Sequence, residues 1–176
     1  MRFGAALLTL TTALVLAPAA LAAPAGGTGV TAQDAIERPI VVELNRVRAA
    51  HGLGPLRTVR PLRVAADAHA ASMARGGYFS HTSADGTSFD RRVARFYRAG
   101  GYRNWTVGEN LLWSSSAALT PAEAVRMWMA SPGHRKNILS PRWREIGISA
   151  VRAAGAPGVF GGRDVTIVVT DFGARA

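Results

Sequence analysis

The chain has no cysteine among its 176 residues. That excludes a thiol nucleophile, a disulfide framework and a cysteine-ligated metal, so a metal site would have to draw on histidine, carboxylate, backbone or water. Lysine is nearly absent: Lys136 is the only one, and arginine supplies the rest of the 21 basic side chains. No G-x-S-x-G elbow occurs, which removes the usual setting of a nucleophilic serine in an α/β hydrolase. No glycine-rich phosphate loop occurs either, since Gly26-Gly27 stands among small residues and not between a strand and a helix. There is no internal repeat. Past residue 22 no apolar stretch approaches the roughly 20 residues that a membrane-spanning helix needs.

What is present begins with an export pattern. Met1-Arg2 supplies a positive start, residues 3–17 run apolar without a charge, and Pro18 precedes Ala20-Leu21-Ala22. A charged start, a short apolar stretch and an A-x-A site read as a secretory signal peptide over residues 1–22, and the stretch is too short for an anchor. Residues 23–35, rich in Pro, Gly and small residues at their start, read as a flexible linker. Residues 36–176 suffice for one domain with its own core. The expected location is secreted, extracellular or in the cell envelope. Formal charge is +10, and +9 once Arg2 is removed. Such a balance favours anionic partners: envelope polymers, lipid headgroups or nucleic acid. The arginines are spread along the chain with no run of five, as expected of solvated helix faces.

Apolar spacing predicts helices over residues 39–50, 61–75, 88–99 and from Pro121 to the Pro132-Gly133 stop. In the third, Phe89, Val93 and Phe96 are expected inward. The fourth has the sharpest start, because Thr120-Pro121-Ala122-Glu123 is a capping box with proline in the first turn. The period then changes. Residues 145–151 alternate with Ile146, Ile148 and Ala150 on one face, and residues 164–172 with Val165, Ile167 and Val169 on one face, joined by a glycine-rich hairpin. Helices first and an antiparallel hairpin last predict an α+β layered domain.

Several segments occur in a telling order. They are Asn45-Arg46-Val47-Arg48, HAASM at residues 69–73, Gly77-Tyr78-Phe79-Ser80-His81, Asp85-Gly86-Thr87 and Val107-Gly108-Glu109-Asn110-Leu111. WMASPGHRKNIL at residues 128–139, Glu145-Ile146-Gly147-Ile148 and Asp171-Phe172-Gly173 complete the series. Together they resemble the bacterial SCP-domain branch of the CAP superfamily (cysteine-rich secretory protein, antigen 5 and pathogenesis-related-1). The resemblance covers roughly residues 36–173. It implies a three-layer α-β-α sandwich with a small antiparallel sheet, and a cleft where two histidines and two acids meet. His81 and His134 match the histidines and Glu109 matches one acid. The other acid is missing, because its place is taken by Ser131. Ser131 and Asn110 are expected at the cleft rim.

Read as chemistry, two imidazoles and a carboxylate suit a divalent metal such as zinc. They equally suit a hydrogen-bond network in which Glu109 orients two loops. His81 and His134 read as turn residues, His69 as a core histidine bonded to backbone, and His51 as a surface residue. Trp128 and Phe79 read as core, and Trp105 and Trp113 as flanks of a loop-like Gly-Glu-Asn segment. Three functions stay open. One is a non-catalytic extracellular binding module for lipid, envelope polymer or a partner, as the resemblance implies. Another is a metal-dependent hydrolase using His81, Glu109 and His134. The third is a basic binder of nucleic acid or wall polymer.

Overall fold

The computed structural model describes residues 29–176. The expected signal peptide and residues 23–28 of the expected linker lie outside the described residues. The elements are β1 (Val30–Ala32), α1 (Asp34–Ala50), β2 (Arg57–Thr58), α2 (Arg60–Gly76) and α3 (Phe89–Ala94), then β3 (Trp105–Ser114), α4 (Pro121–Ala130), α5 (Pro132–Ile138), β4 (Glu145–Ala156) and β5 (Arg163–Arg175). Strands run in the order β1-β4-β5-β3 with antiparallel pairing, and the two-residue β2 adds a parallel pair at the start of β4. Residues 30–35 are therefore not linker. Val30, Thr31 and Ala32 pair with Ala153, Arg152 and Val151, and α1 starts five residues earlier than the sequence suggested. The apolar spacing had pointed to Pro39 as the start, but Pro39 lies inside the helix.

The sheet is covered on both faces, which makes the fold the expected three-layer sandwich. Ile146, Ile148, Ala150, Val168 and Phe172 turn to α1 and α4, where they meet Ile40, Leu44, Val125 and Trp128. Val151, Val165, Ile167 and Val169 turn the other way, onto Ala66, Ala70 and Met73 of α2. The two-residue period of a strand sends alternate side chains to opposite layers, so both faces of β4 and β5 are apolar. Gly147 allows α2 to lie directly on β4: a Cβ there would sit 2.0 Å from the Leu62 carbonyl carbon.

Three readings are corrected by tertiary packing. Glu109 and the flanking Trp105 and Trp113 lie in strand β3 and not in a loop. Pro132-Gly133 does not simply stop a helix. It opens α5, so His134 is helical. Phe96 points outward with 39% of its surface exposed, because Val93 and Tyr97 take the buried face of α3 and the turn after it. Phe79 is only partly buried.

The fourth helix keeps its predicted cap: the Glu123 N–H donates to Thr120 Oγ1 at 3.2 Å, and the Thr120 N–H donates to Glu123 at 2.9 Å. Trp128 is 1% exposed, and its Nε1 donates to the Leu111 carbonyl at 3.0 Å. Trp128→Ala should cost about 3–5 kcal/mol, whereas Thr120→Ala should cost about 1 kcal/mol. Urea melts of the two variants check this ordering.

Candidate functional site

The site forms where the edge strand β3 meets α3 and α5. Edge strands leave every second carbonyl and N–H without a partner strand. Here the Glu109 carbonyl accepts from Asn137 Nδ2 at 3.0 Å, and the next outward carbonyl, that of Leu111, accepts from Trp128. Helices α4 and α5 thus close the edge. Arg48, fully buried on α1, fixes the end of α5 by donating to the carbonyls of Ile138 and Ser140 at 2.7 and 2.9 Å. Gly108 has a related purpose: a Cβ there would meet the Trp143 ring at 2.8 Å, so glycine lets that ring pack flat against the strand.

Glu109 is 4% exposed. A buried carboxylate has to be paired and hydrogen-bonded. Arg92 of α3, itself 5% exposed, donates from Nη2 to one carboxylate oxygen and from Nη1 to the His81 carbonyl at 2.8 Å. His81 Nδ1 donates to the other oxygen at 2.7 Å. That bond fixes the tautomer and leaves Nε2 with a free lone pair on a ring whose side chain is 53% exposed. Across the ladder Glu109 faces Asp171 of β5. Asp171 is wholly buried and neither of its oxygens has a hydrogen-bond partner among the described residues. Burial, and then the neighbouring Glu109 charge, push its carboxyl well above the usual carboxylate range.

His134 joins from the far side of the strand edge. Its carbonyl accepts from Asn110 Nδ2 at 3.2 Å. Burial, and then the charge of His81, hold its imidazole below the ordinary value. The two histidines therefore share one region. The open cleft beside it, about 410 Å³, is lined by His81, Phe89, Glu109, Asn137, Arg142 and Trp143, and His134 is not among its lining residues. Asn110 is not at the rim. It is fully buried and works as a latch, its Oδ1 accepting from Asn137 Nδ2 at 2.9 Å. Ser131 stands at the junction of α4 and α5, half-buried.

Sequence reasoning missed Arg92, Asn137 and Asp171. An arginine in a short helix reads as a solvated residue, yet the demand of a buried Glu109 for a cation was a usable signal. Asp171 continues the inward alternation Val165, Ile167, Val169, so its burial was legible too. Nothing local marks Asn137. His69 behaves as expected: it is 1% exposed, and its Nε2 donates to the Ser80 carbonyl at 2.9 Å.

A divalent metal fits this donor set poorly. Among the described residues no three histidine or acidic side chains are grouped to hold one. Both Glu109 oxygens are already taken, one of them by a guanidinium whose charge would repel a second cation at the same carboxylate. Asp171 is wholly buried. Two histidines remain, short of the three protein ligands usual for zinc. The geometry also lacks an activated nucleophile, since among the described residues no hydroxyl hydrogen-bonds the His81 ring.

The fold is thus an α-β-α sandwich in which Glu109 of the edge strand pairs with His81, with a second histidine on a following helix. The sequence model of the Cysteine-rich secretory protein family (CAP) matches residues 41–171, and the chain belongs to that family. It is 36% identical over 121 residues to the uncharacterized protein YkwD of Bacillus subtilis, which covers 68% of this chain and 44% of that protein. It is 31% identical over 120 residues to the uncharacterized membrane protein YlbC of the same organism, covering 68% of this chain and 33% of that one. The chain thus spans less than half the length of these relatives. Among solved structures it is similar to an extracellular SCP-domain protein of Bacillus anthracis, with a TM-score of 0.57, 25% identity and coverage of 79% of this chain and 40% of that one. It also shares its fold with an outer surface protein of Borrelia burgdorferi, with a TM-score of 0.65, 18% identity and coverage of 85% and 99%.

Two predictions test the site. Arg92→Met strands a buried carboxylate and should cost about 3–5 kcal/mol in a denaturant melt, most of which Arg92→Met with Glu109→Leu should restore. In calorimetry, zinc should give no stoichiometric heat that depends on His81. Binding lost in His81→Ala would contradict the electrostatic argument.

Proposed function

We propose that this chain is an exported, non-catalytic binding module that receives an acidic group of an envelope polymer in the cleft beside His81. The observation that carries this reading is the neutralised acid. Arg92 and His81 occupy the Glu109 carboxylate, so the cleft offers no free carboxylate and no free negative charge. Its one unpaired full charge is Arg142, whose guanidinium lies 5.7 Å from the Trp143 ring centre. A guanidinium above an aromatic floor suits a carboxylate or phosphate borne on a sugar or polyol. Phe89 and Asn137 line the same cleft and add an apolar wall and an amide.

Export is supported by the leader pattern of residues 1–22. It is supported also by the description of the similar Bacillus anthracis protein as extracellular and of the Borrelia burgdorferi protein as an outer surface protein. Among the described residues no helix is long and apolar enough to cross a membrane. Binding, and not turnover, fits a site whose parts are locked in mutual hydrogen bonds before any ligand arrives.

Nuclear magnetic resonance titration with acidic and neutral oligosaccharides tests the proposal. Acidic fragments should shift the His81 and Trp143 ring signals, and Arg142→Ala should weaken that binding roughly 10-fold, the scale of one charge-assisted hydrogen bond. Equal binding of neutral fragments, or undiminished binding by Arg142→Ala, would sink it.

A further inference from the structure

A concentration of unabsorbed charge lies on α3 and the turn that follows it. Residues 91–103 hold Arg91, Arg92, Arg95, Arg98 and Arg103 and no acid. Arg92 is spent on Glu109, whereas the other four are exposed. None of these four has a carboxylate within 4.0 Å among the described residues, and residues 1–28 carry no acidic side chain. Asp85 and Asp90 border the segment, each bonded to its own turn: Asp85 accepts from the Thr87 N–H at 2.9 Å, and Ser88 bonds to Asp90. Two large rings stand out among the arginines, Phe96 at 39% exposed and Tyr102 at 51%.

This lobe is held in place. Asn104 and Ala176 exchange backbone hydrogen bonds of 2.7 and 3.1 Å. Trp105 Nε1 donates to the Tyr97 carbonyl at 2.8 Å. The Arg175 guanidinium lies 4.2 Å from the Tyr97 ring centre and 5.2 Å from that of Tyr102. Gly100 and Gly101, with φ of 58° and 89°, turn the chain at the tip. Val93 and Tyr97 are buried one helical turn apart, which leaves Arg91, Arg95 and Arg98 on the outer side. Arginines without carboxylate partners and exposed aromatic rings on one braced lobe are what an anionic bilayer surface accepts. Guanidinium groups meet headgroup phosphates, and rings enter the interfacial layer.

We infer that the lobe of residues 91–103 docks this protein on the surface of an anionic lipid bilayer, through Arg91, Arg95, Arg98 and Arg103 with Phe96 and Tyr102 as interfacial anchors. The inference does not rest on the cleft reading. It assigns a second surface, on α3 and its turn, and a different occupant. A soluble polyanion is disfavoured because such chains stack on free ring faces, whereas Tyr102 already carries Arg175 over its ring.

Vesicle co-sedimentation of the exported protein tests it, using vesicles of phosphatidylcholine with and without one third phosphatidylglycerol. Every variant shares residues 1–28, so differences between variants report the lobe. The wild type should partition onto the anionic vesicles and lose that binding as salt rises. Partitioning should fall about fivefold for each of Arg91→Gln, Arg95→Gln, Arg98→Gln and Arg103→Gln. Phe96→Ser with Tyr102→Ser should lower it further at unchanged charge. Arg75→Gln with Arg163→Gln removes two charges near the opposite end of the sheet and should leave partitioning unchanged. All these residues are exposed, and thermal melts verify that each variant is folded. Equal losses from the Arg75 and Arg163 pair would overturn the proposal, as would full binding by the ring variant. Displacement by soluble polyphosphate to the same extent in wild type and ring variant would identify a polyanion site and overturn it also.

Discussion

The Glu109 carboxylate is the constraint around which the site is organised. An ionised carboxylate placed on the inner stretch of a strand cannot remain unpaired in low dielectric. Arg92 answers it from α3, and His81 answers it from the segment between α2 and α3. The same guanidinium holds the His81 carbonyl and Ser83 Oγ, so one ion pair fixes a strand, a helix and a loop at once. The orientation of the exposed imidazole follows from a charge that never reaches solvent.

A second constraint is the open edge of β3. The sheet ends at this strand, and its outward carbonyls need donors. Trp128 and Asn137 supply them, which ties α4 and α5 to the strand and brings His134 into the same region as His81. Trp143 then donates to the Asn137 carbonyl at 2.9 Å and floors the cleft. The packing of the edge and the construction of the cleft are one arrangement, so the site inherits the rigidity of the core.

The chemistry of the cleft takes its character from Arg92. A cleft with one carboxylate already matched to a guanidinium has its cation built in, and its remaining chemistry is that of Arg142, the His81 imidazole and an aromatic floor. One group of the unpaired arginines is local. It gathers where the turn after α3 is braced by the last residues of the chain, whereas Arg46, Arg57, Arg63, Arg152 and Arg175 each meet an acid.

Much of this was legible in the residues alone. The period change from helices to a terminal hairpin, the Thr120 capping box, the burial of Trp128 and the resemblance carried by ordered short segments follow from local chemistry and order along the chain. So did the membership of His81 and Glu109 in one site. The strand state of Glu109, the helical state of His134 and the latch role of Asn110 were not legible, because each is set by a neighbour far away in sequence. Gly-Glu-Asn becomes strand by pairing with residues 170–172 of β5, and Pro-Gly-His becomes helix with its far end held by Arg48. The identity of the cation at Glu109 was likewise a tertiary decision. Several arginines could have served, and only the packing of α3 against β3 selects Arg92. The sequence by itself determined which groups would be apolar, charged or turn-forming. The tertiary structure decided which charge was buried, because burial depends on which surfaces meet and not on any residue's own preference.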